Sequence, residues 1–289
     1  MDTLPEKQQG LAAEALGRLL RENKLAVLSA LLILLFILAA IFAPLLTPYG
    51  FEEQRVLERL APPSAQHILG TDELGRDVFT RLLYGARVSL MVGIVPTLIS
   101  MAVGAVLGIL AGYKGGIVDT VIMRLADIML AFPSMLLAMV IMYILGDGLV
   151  NIFLALALVN WASVARIVRS ETLKLKSSEY VEAARSIGVS PFKIMARHIF
   201  PNCLPSMIVL FTLNIPAAIL SESSLSFLGL GIKAPQASWG LMVNWGRQFL
   251  WDKPWLSLAP SLAIMLVVMA FNFLGDGLRD VLDPHLKQE

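Results

Sequence analysis

The hydrophobic positions of this chain gather into long runs that carry little or no charge, separated by polar stretches. A helix needs about 20 apolar residues to cross a bilayer, and six runs approach or exceed that length. The cleanest is 25–46, which is uncharged, rich in Leu, Ile and Ala, preceded by Lys24 and closed by Pro44 and Pro48. A second spans 88–112 with Pro96, Gly104 and Gly108 inside it, residues that a membrane helix tolerates when its neighbours satisfy the backbone. The others are 118–145, 149–165, 204–220 and 255–274. The fourth is short and carries Asn151, Asn160 and Ser163, so it is expected to pack inside the bundle, away from lipid. The pattern predicts an all-α membrane protein of about six transmembrane helices.

Composition agrees. Apolar residues make up 57% of the 289 positions and charged residues 16%, with a mean hydropathy of +0.73. Soluble domains carry about 25% charge, so the apolar excess is surface that faces lipid. A formal net charge of +1 argues against the broad basic footprint of a nucleic-acid binder. The single cysteine, Cys203, excludes an intrachain disulfide, and His67, His198 and His285 do not fall at zinc-site spacing. The first ten residues are polar and mixed in charge, which reads as a retained cytoplasmic segment and not as a signal peptide.

Orientation follows from the Lys and Arg distribution. With the N-terminus inside, the segments 1–24, 113–117, 166–203 and 276–289 hold fourteen of these residues, against seven in 50–86, 147–148 and 222–254. Both termini are therefore expected in the cytoplasm, although Arg55, Arg59, Arg76 and Arg81 in the first outer loop oppose the rule. The resulting organisation is a cytoplasmic segment 1–24, a first helix with its outer loop 25–85, a five-helix core 86–275 and a cytoplasmic tail 276–289. No GxxxxGK[ST] phosphate loop occurs. The driving energy must come from an ion gradient, a voltage or another polypeptide.

Several polar residues fall inside or beside the apolar runs. Arg124 and Asp127 lie three apart on one helix face and are expected to pair, near the inner mouth of a pathway or as a structural pair; Asp119 is expected to face water. Asn214 lies midway along the fifth run, while Ser221 and Glu222 open a polar stretch expected to follow it. Asn214 is a candidate pathway residue, with an interhelical hydrogen bond as an equal alternative; for Ser221 and Glu222 a pathway role stands against a space-filling polar, re-entrant or interfacial loop. Trp239 and Trp245 suit anchors at the membrane interface. Asp72, Glu73 and Asp77 look like a catalytic carboxylate set, but an acidic–basic turn is the better reading. The methionines Met123, Met129, Met135, Met139 and Met142 suit gap-filling between packed helices. Asp276, Arg279, Asp280 and Asp283 are expected to make cytoplasmic contacts.

The segment 166–203 is too polar to insert and too well organised to be a linker. Glu179 to Ile187 suits a helix, with Ala183 and Ala184 as strong formers. Gly188 can take the left-handed conformation that closes it. Ser190 is placed to cap a second helix, Pro191 to occupy its first position and Pro201 to interrupt it. A compact helix–turn–helix is expected on the inner face.

Glu182-Ala183-Ala184, then Gly188, then Ile199-Phe200-Pro201 resembles the EAA loop of binding-protein-dependent ABC importers. His198 and Phe200 depart from the aliphatic residues of the broad pattern without disturbing the helix–turn–helix. The runs HILGTDELGRDVFTRLLYGARVSL from His67, DTVIMRLADIMLAFPSMLLA from Asp119, SESSLSFLGLGIKAPQASWG from Ser221 and LGDGLRDVLDPHL from Leu274 are similar to C-type permeases of dipeptide, oligopeptide and nickel importers. The resemblance implies a type I importer bundle in a bacterial inner membrane. It implies a second permease subunit forming a heterodimer, one or two ATPase subunits that bind ATP and magnesium, and an extracytoplasmic binding protein. This chain itself would bind no cofactor and perform no covalent chemistry. Glu182, Ala183, Ala184, Gly188, Ser190, Pro191 and Pro201 would form the coupling loop. Peptides are the leading substrate, with nickel complexes or glutathione as alternatives, and a secondary transporter without an ATPase as the rival class.

Overall fold

The computed structural model describes residues 23–282. The N-terminal segment, Asp283 and His285 lie outside the described residues. Helix α1 (Lys24–Ile41) opens on Asn23, whose side chain accepts from the Ala26 amide at 3.0 Å. Only Ala26, Ser29, Ile33 and Ala40 are buried, a narrow stripe that leaves Leu25, Leu28, Leu31 and Leu35 exposed for lipid. The helix ends at Phe42, ahead of the short α2 (Ala43–Leu46), where Pro44 fits the first turn. The C-terminal carbonyls of α1 are not left bare. Arg87 donates to the Ala40 carbonyl and to that of Ile41, the latter at 2.9 Å.

Helix α3 (Val78–Lys114) has 37 residues, about 55 Å at 1.5 Å per residue. It starts ten residues before the apolar run because Asp77 caps it, its Oδ1 accepting from the Thr80 amide at 2.6 Å and the Thr80 hydroxyl at 2.7 Å. A rod longer than the roughly 30 Å hydrocarbon layer must project from it. The projecting turns carry Arg81 and Arg87.

The expected third span, 118–145, is instead a broken pair, α4 (Gly116–Ala131) and α5 (Ser134–Leu145), bent by 94°. Pro133 lacks the N–H that would continue the ladder and forces Phe132 into an extended conformation, φ −92° and ψ 142°. The described residues thus hold five helices long and apolar enough to cross a membrane, or six spans if the bent pair counts as one.

Helix α6 (Leu149–Lys176) runs well past its apolar stretch and buries one face, with Ile152, Ala155, Leu156, Val159, Ala162 and Ala165 buried. On the other face Val150, Leu154 and Leu158 are exposed, so the helix is not enclosed as expected. Its partner is α3, and the seam is made by Gly104, Gly108 and Gly112. A Cβ on these residues would lie 2.6 Å from Val164 Cβ, 2.6 Å from the Ala165 carbonyl oxygen and 2.8 Å from Thr172 Cβ. Small residues at four-residue spacing let two membrane helices approach backbone to backbone. The chain then forms α7 (Glu179–Ser186) and α8 (Pro191–Ile194), passes through a π turn at Met195–Ile199, and continues as α9 (Phe200–Phe227). Helices α10 (Trp239–Gly246) and α11 (Trp255–Leu282) complete the fold. Helix α11 lies against α1, with Gly277 in contact with Ala26.

The bundle has two distinct ends. The cap end consists of residues 47–77, the first turns of α3, the last turns of α9, and α10. The loop end holds α7 and α8 beside Tyr113 and Lys176. The methionines of the kinked pair serve packing: Met142 is buried, with Met135 and Met139 packed beside it.

Gly108→Leu should force α3 and α6 apart and cost about 1–3 kcal/mol, measured as lowered unfolding stability of the purified chain in detergent. Gly50→Ala, with nothing closer than 3.7 Å, should stay within about 0.5 kcal/mol of wild type. A G108L chain as stable as wild type would show that the seam is not close-packed.

Candidate coupling loop and pathway residues

Helix α7 is amphipathic and folds its apolar side inward. Val181 and Ala184 are buried with Ile194, Ile199 and Cys203 against Tyr113 and Val168, while Glu182 and Ala183 face outward. Gly188 adopts φ +79°, its amide donates to the Arg185 carbonyl at 3.0 Å, and the Val189 amide donates to that of Ala184 at 3.1 Å. This is the paired-bond closure of a Schellman motif, so Gly188 performs the expected turn. Pro191 occupies the first turn of α8, as expected. Ser190 precedes it, but its hydroxyl makes no capping bond; its carbonyl accepts from Ile194 at 3.0 Å.

Pro201 does not interrupt the helix. The preceding π turn, in which the Phe200 amide reaches back to the Met195 carbonyl, widens the ladder where a proline would break it. From Pro191 to Phe227 the chain is one continuous rod of 37 residues. The turn between α7 and α8 presents Ile187 and Phe192, which are 81% and 76% exposed. Two large apolar side chains held outward on a tied turn form an apolar knob.

Arg124 and Asp127 do not pair. Asp127 accepts from Arg166 of α6 at 2.8 Å, and Arg124 is exposed without an ion pair among the described residues. Asp119, expected to face water, instead takes both nitrogens of the Arg169 fork. Residues on α6 supply both partners because its last turns cross α4, and that helix continuation is invisible to hydropathy. Asn214 and Ser221 are partly buried and bond only backwards along α9, to the Leu210 carbonyl at 2.9 Å and the Ala217 carbonyl at 2.7 Å.

Residues 221–226 form the last turns of α9 and not a loop after it. Glu222 is fully buried. Its Oε1 accepts from the Ser226 hydroxyl at 2.7 Å and from the Ser238 hydroxyl at 2.8 Å. Ser238 is also the N-cap of α10, accepting from the Leu241 amide at 3.1 Å.

The cap end is a dense polar assembly. Asp72, Arg76 and Asp77 form the expected structural turn, with Asp72 accepting from Arg76 Nε at 2.7 Å. Trp239 is fully buried and not a membrane-interface anchor: its amide donates to Ser89 Oγ at 3.1 Å and its Nε1–H to the Leu82 carbonyl at 3.0 Å. Trp245 lies under Arg76 and Arg81, whose guanidinium carbons stand 4.5 and 5.3 Å from its ring centre. The exposed tryptophan is Trp251, at 95%. His67, which no sequence motif marked, is buried between Asp77 at 2.9 Å and Glu58 at 3.2 Å, stacked on Tyr49. On the rim, the Gly50 amide and then the Arg55 guanidinium hold the Glu53 carboxyl below the usual carboxylate range. A crevice of about 20 Å³ between Asp72, Val78, Arg81, Trp245 and Phe249 has room for a water molecule. At the far end of α11, Asp276, Arg279 and Asp280 make no ion pair among the described residues.

A polytopic helical bundle with a projecting helix–turn–helix at one end and a folded polar cap at the other is the construction of a membrane permease subunit. Residues 104–288 match the binding-protein-dependent transport system inner membrane component family, and residues 13–63 match the N-terminal TM domain of oligopeptide transport permease C. The chain belongs to this family of inner-membrane transport components. It is therefore a multi-pass inner-membrane transport subunit of an ABC importer and not a catalytic enzyme, which sets aside the secondary transporter.

It is 48% identical to the dipeptide transport system permease protein DppC of Alkalihalophilus pseudofirmus, over 93% of this chain and 88% of that one. It is 40% identical to the oligopeptide transport system permease protein OppC of Bacillus subtilis, over 99% and 94%. The glutathione transport system permease protein GsiD of Pectobacterium atrosepticum is 46% identical, over 93% and 90%. Among solved structures, the inward-facing MetNI methionine ABC transporter superposes with a TM-score of 0.55 at 19% identity, covering 70% of this chain and 96% of that one. That likeness is one of fold.

Gly188→Val should strain the turn by about 1–2 kcal/mol, the left-handed penalty for a residue with a Cβ. No neighbour lies within 4 Å of the added carbon, so the cost is conformational. Hydrogen exchange should speed up about tenfold in α7 and α8, with the α3–α6 seam unchanged. Unaltered exchange in the loop would show that the turn does not depend on glycine.

Proposed function

We propose that this chain forms half of the translocation pathway of an ATP-driven, binding-protein-dependent importer of di- and oligopeptides. The observation that carries the reading is the α7–α8 knob, with Ile187 and Phe192 held outward by the Schellman closure at Gly188. A membrane subunit that lacks a phosphate loop needs a rigid docking element for the subunit that hydrolyses nucleotide, and this knob supplies it. Glu182 and Ala183, facing outward beside it, provide an acceptor and a close-approach surface. The Lys and Arg bias supports a cytoplasmic loop end and cytoplasmic termini, with the cap end outside.

The assembly comprises a second, different permease subunit, one or two ATPase subunits that bind ATP with magnesium, and an extracytoplasmic binding protein. Closure of the ATPases draws the docked loops together and tips the bundle from inward-open to outward-open. The loaded binding protein then delivers substrate, and hydrolysis resets the bundle. Such a cycle needs two states with different contacts in each. The pathway runs between the two permeases, with Arg124, Asp127, Asn214 and Ser221 as lining residues. Peptides are favoured as cargo because relatives named for dipeptides, oligopeptides and glutathione all match at 40% identity or more, and glutathione is itself peptide-like.

Ile187→Asp with Phe192→Asp should abolish co-purification of the ATPase from mild detergent and stop peptide uptake, while the chain stays monodisperse. Undiminished ATPase recovery from the double variant would remove the docking assignment. Uptake of glutathione but not of dipeptides by the wild-type importer would shift the substrate reading.

A further inference from the structure

Glu222 is an unusual residue to bury. It lies about one and a half turns from the end of the 37-residue rod Pro191–Phe227, and its side chain forms no ion pair among the described residues. Both hydroxyls that it accepts sit on one oxygen, Oε1. Oε2 is buried without a hydrogen-bond partner among the described residues, and so is the neighbouring Ser223 hydroxyl. Both border Gly240, where an added Cβ would stand 3.1 Å from Oε2 and 2.6 Å from Ser223 Cα, so α10 rests directly on α9 here.

One of the two bonds stays within α9, from Ser226. The other crosses to Ser238, whose hydroxyl simultaneously caps α10. A second tie runs parallel to it, the Asn244 side chain donating to the Ser226 carbonyl at 3.0 Å. Helix α10 is held on its other flank by α3, through Trp239 to Ser89 and Leu82. The start of the same rod is the coupling loop. Helix α9, with Pro205 and Pro216 inside it, continues to Phe227, so one helical segment joins α8 to the contact with α10 at Glu222.

We infer that the Glu222–Ser238 bond, with Asn244 beside it, is the outer joint of a transmission rod that links the ATPase-docking loop to the cap contacted by the binding protein. The inference rests on the importer reading above. Glu222 is a positioning residue in it, acting through α10 without touching cargo. The half-satisfied carboxylate suits that task. A fully bonded buried network is rigid, whereas one with a free acceptor exchanges partners at lower cost as the helices shift. Coupling through a packed, hydrogen-bonded element of this kind requires that both ends bias the same two-state contact.

The test uses the intact importer, purified with its second permease, ATPase and binding protein in lipid nanodiscs, with the binding protein loaded with trialanine. The readout is the ratio of stimulated to basal ATPase rate. Ser238→Ala should lower that ratio by at least about fivefold, the lower range of allosteric coupling, with the basal rate retained. Glu222→Gln keeps an oxygen that accepts both hydroxyls and should stay within about twofold of wild type. Ser226→Ala removes the bond that stays inside α9 and should also remain coupled. If the S238A complex cannot be recovered, Asn244→Ala decides in the same way.

Retained stimulation in S238A overturns the joint. An equal loss in S226A overturns it too, because satisfaction of the carboxylate and not the link to α10 would then be what matters. A wild-type complex that ignores the loaded binding protein overturns the importer reading beneath it, an outcome distinct from a responsive wild type with a responsive S238A.

Discussion

The close approach of α3 and α6 is the contact on which the rest of the arrangement depends. In lipid no hydrophobic force favours helix against helix over helix against hydrocarbon, so association rests on packing and polar contacts. Gly104, Gly108 and Gly112 remove the side chains that would hold the backbones apart. With α6 fixed against α3, its last turns are aimed at α4, and Arg166 and Arg169 meet Asp127 and Asp119. The same seam carries Val164 and Val168 into the cluster that receives Val181, Ala184 and Ile194. The apolar knob between α7 and α8 therefore stands on the glycine seam of α3 and α6.

Polar groups follow a division imposed by the solvent. Through the middle of the spans the hydroxyls and amides mostly bond back along their own helices, as Thr97, Thr212, Asn214 and Ser221 do, and leave the outer surface apolar. At the ends, where water is available, charges are spent on architecture. Arg87 covers the C-terminus of α1, Asp77 starts α3, and Arg76 and Arg81 clasp Trp245. The cap is thus built from side chains that the hydrocarbon layer would reject, which is why a 37-residue helix can leave the membrane and remain ordered.

The legibility of the chain followed the same division. The existence of the apolar helices, the helix–turn–helix of α7 and α8 and the role of Gly188 were readable, because each rests on composition or on local backbone preference. The extents of α3, α6 and α9 were underestimated, since hydropathy measures the length in lipid and not the length of the helix. Hydropathy does not register the bend at Pro133, and the break that Pro201 suggests locally is absorbed by the π turn. Trp239 and Trp245 suit the membrane interface by sequence, since an aromatic beside a span usually sits there; the burial of Trp239 and the guanidinium stack on Trp245 depend on residues 76–89, far away in sequence.

The amino-acid sequence by itself determined that the chain crosses a membrane repeatedly and carries a structured polar loop, because lipid and backbone stereochemistry act on short stretches independently of the rest. Only the tertiary structure decided which charges pair, where the long helices end and what surrounds Glu222. Those outcomes depend on which surfaces the helices bring together, and a carboxylate chooses among donors on different helices only after the packing has put them within reach.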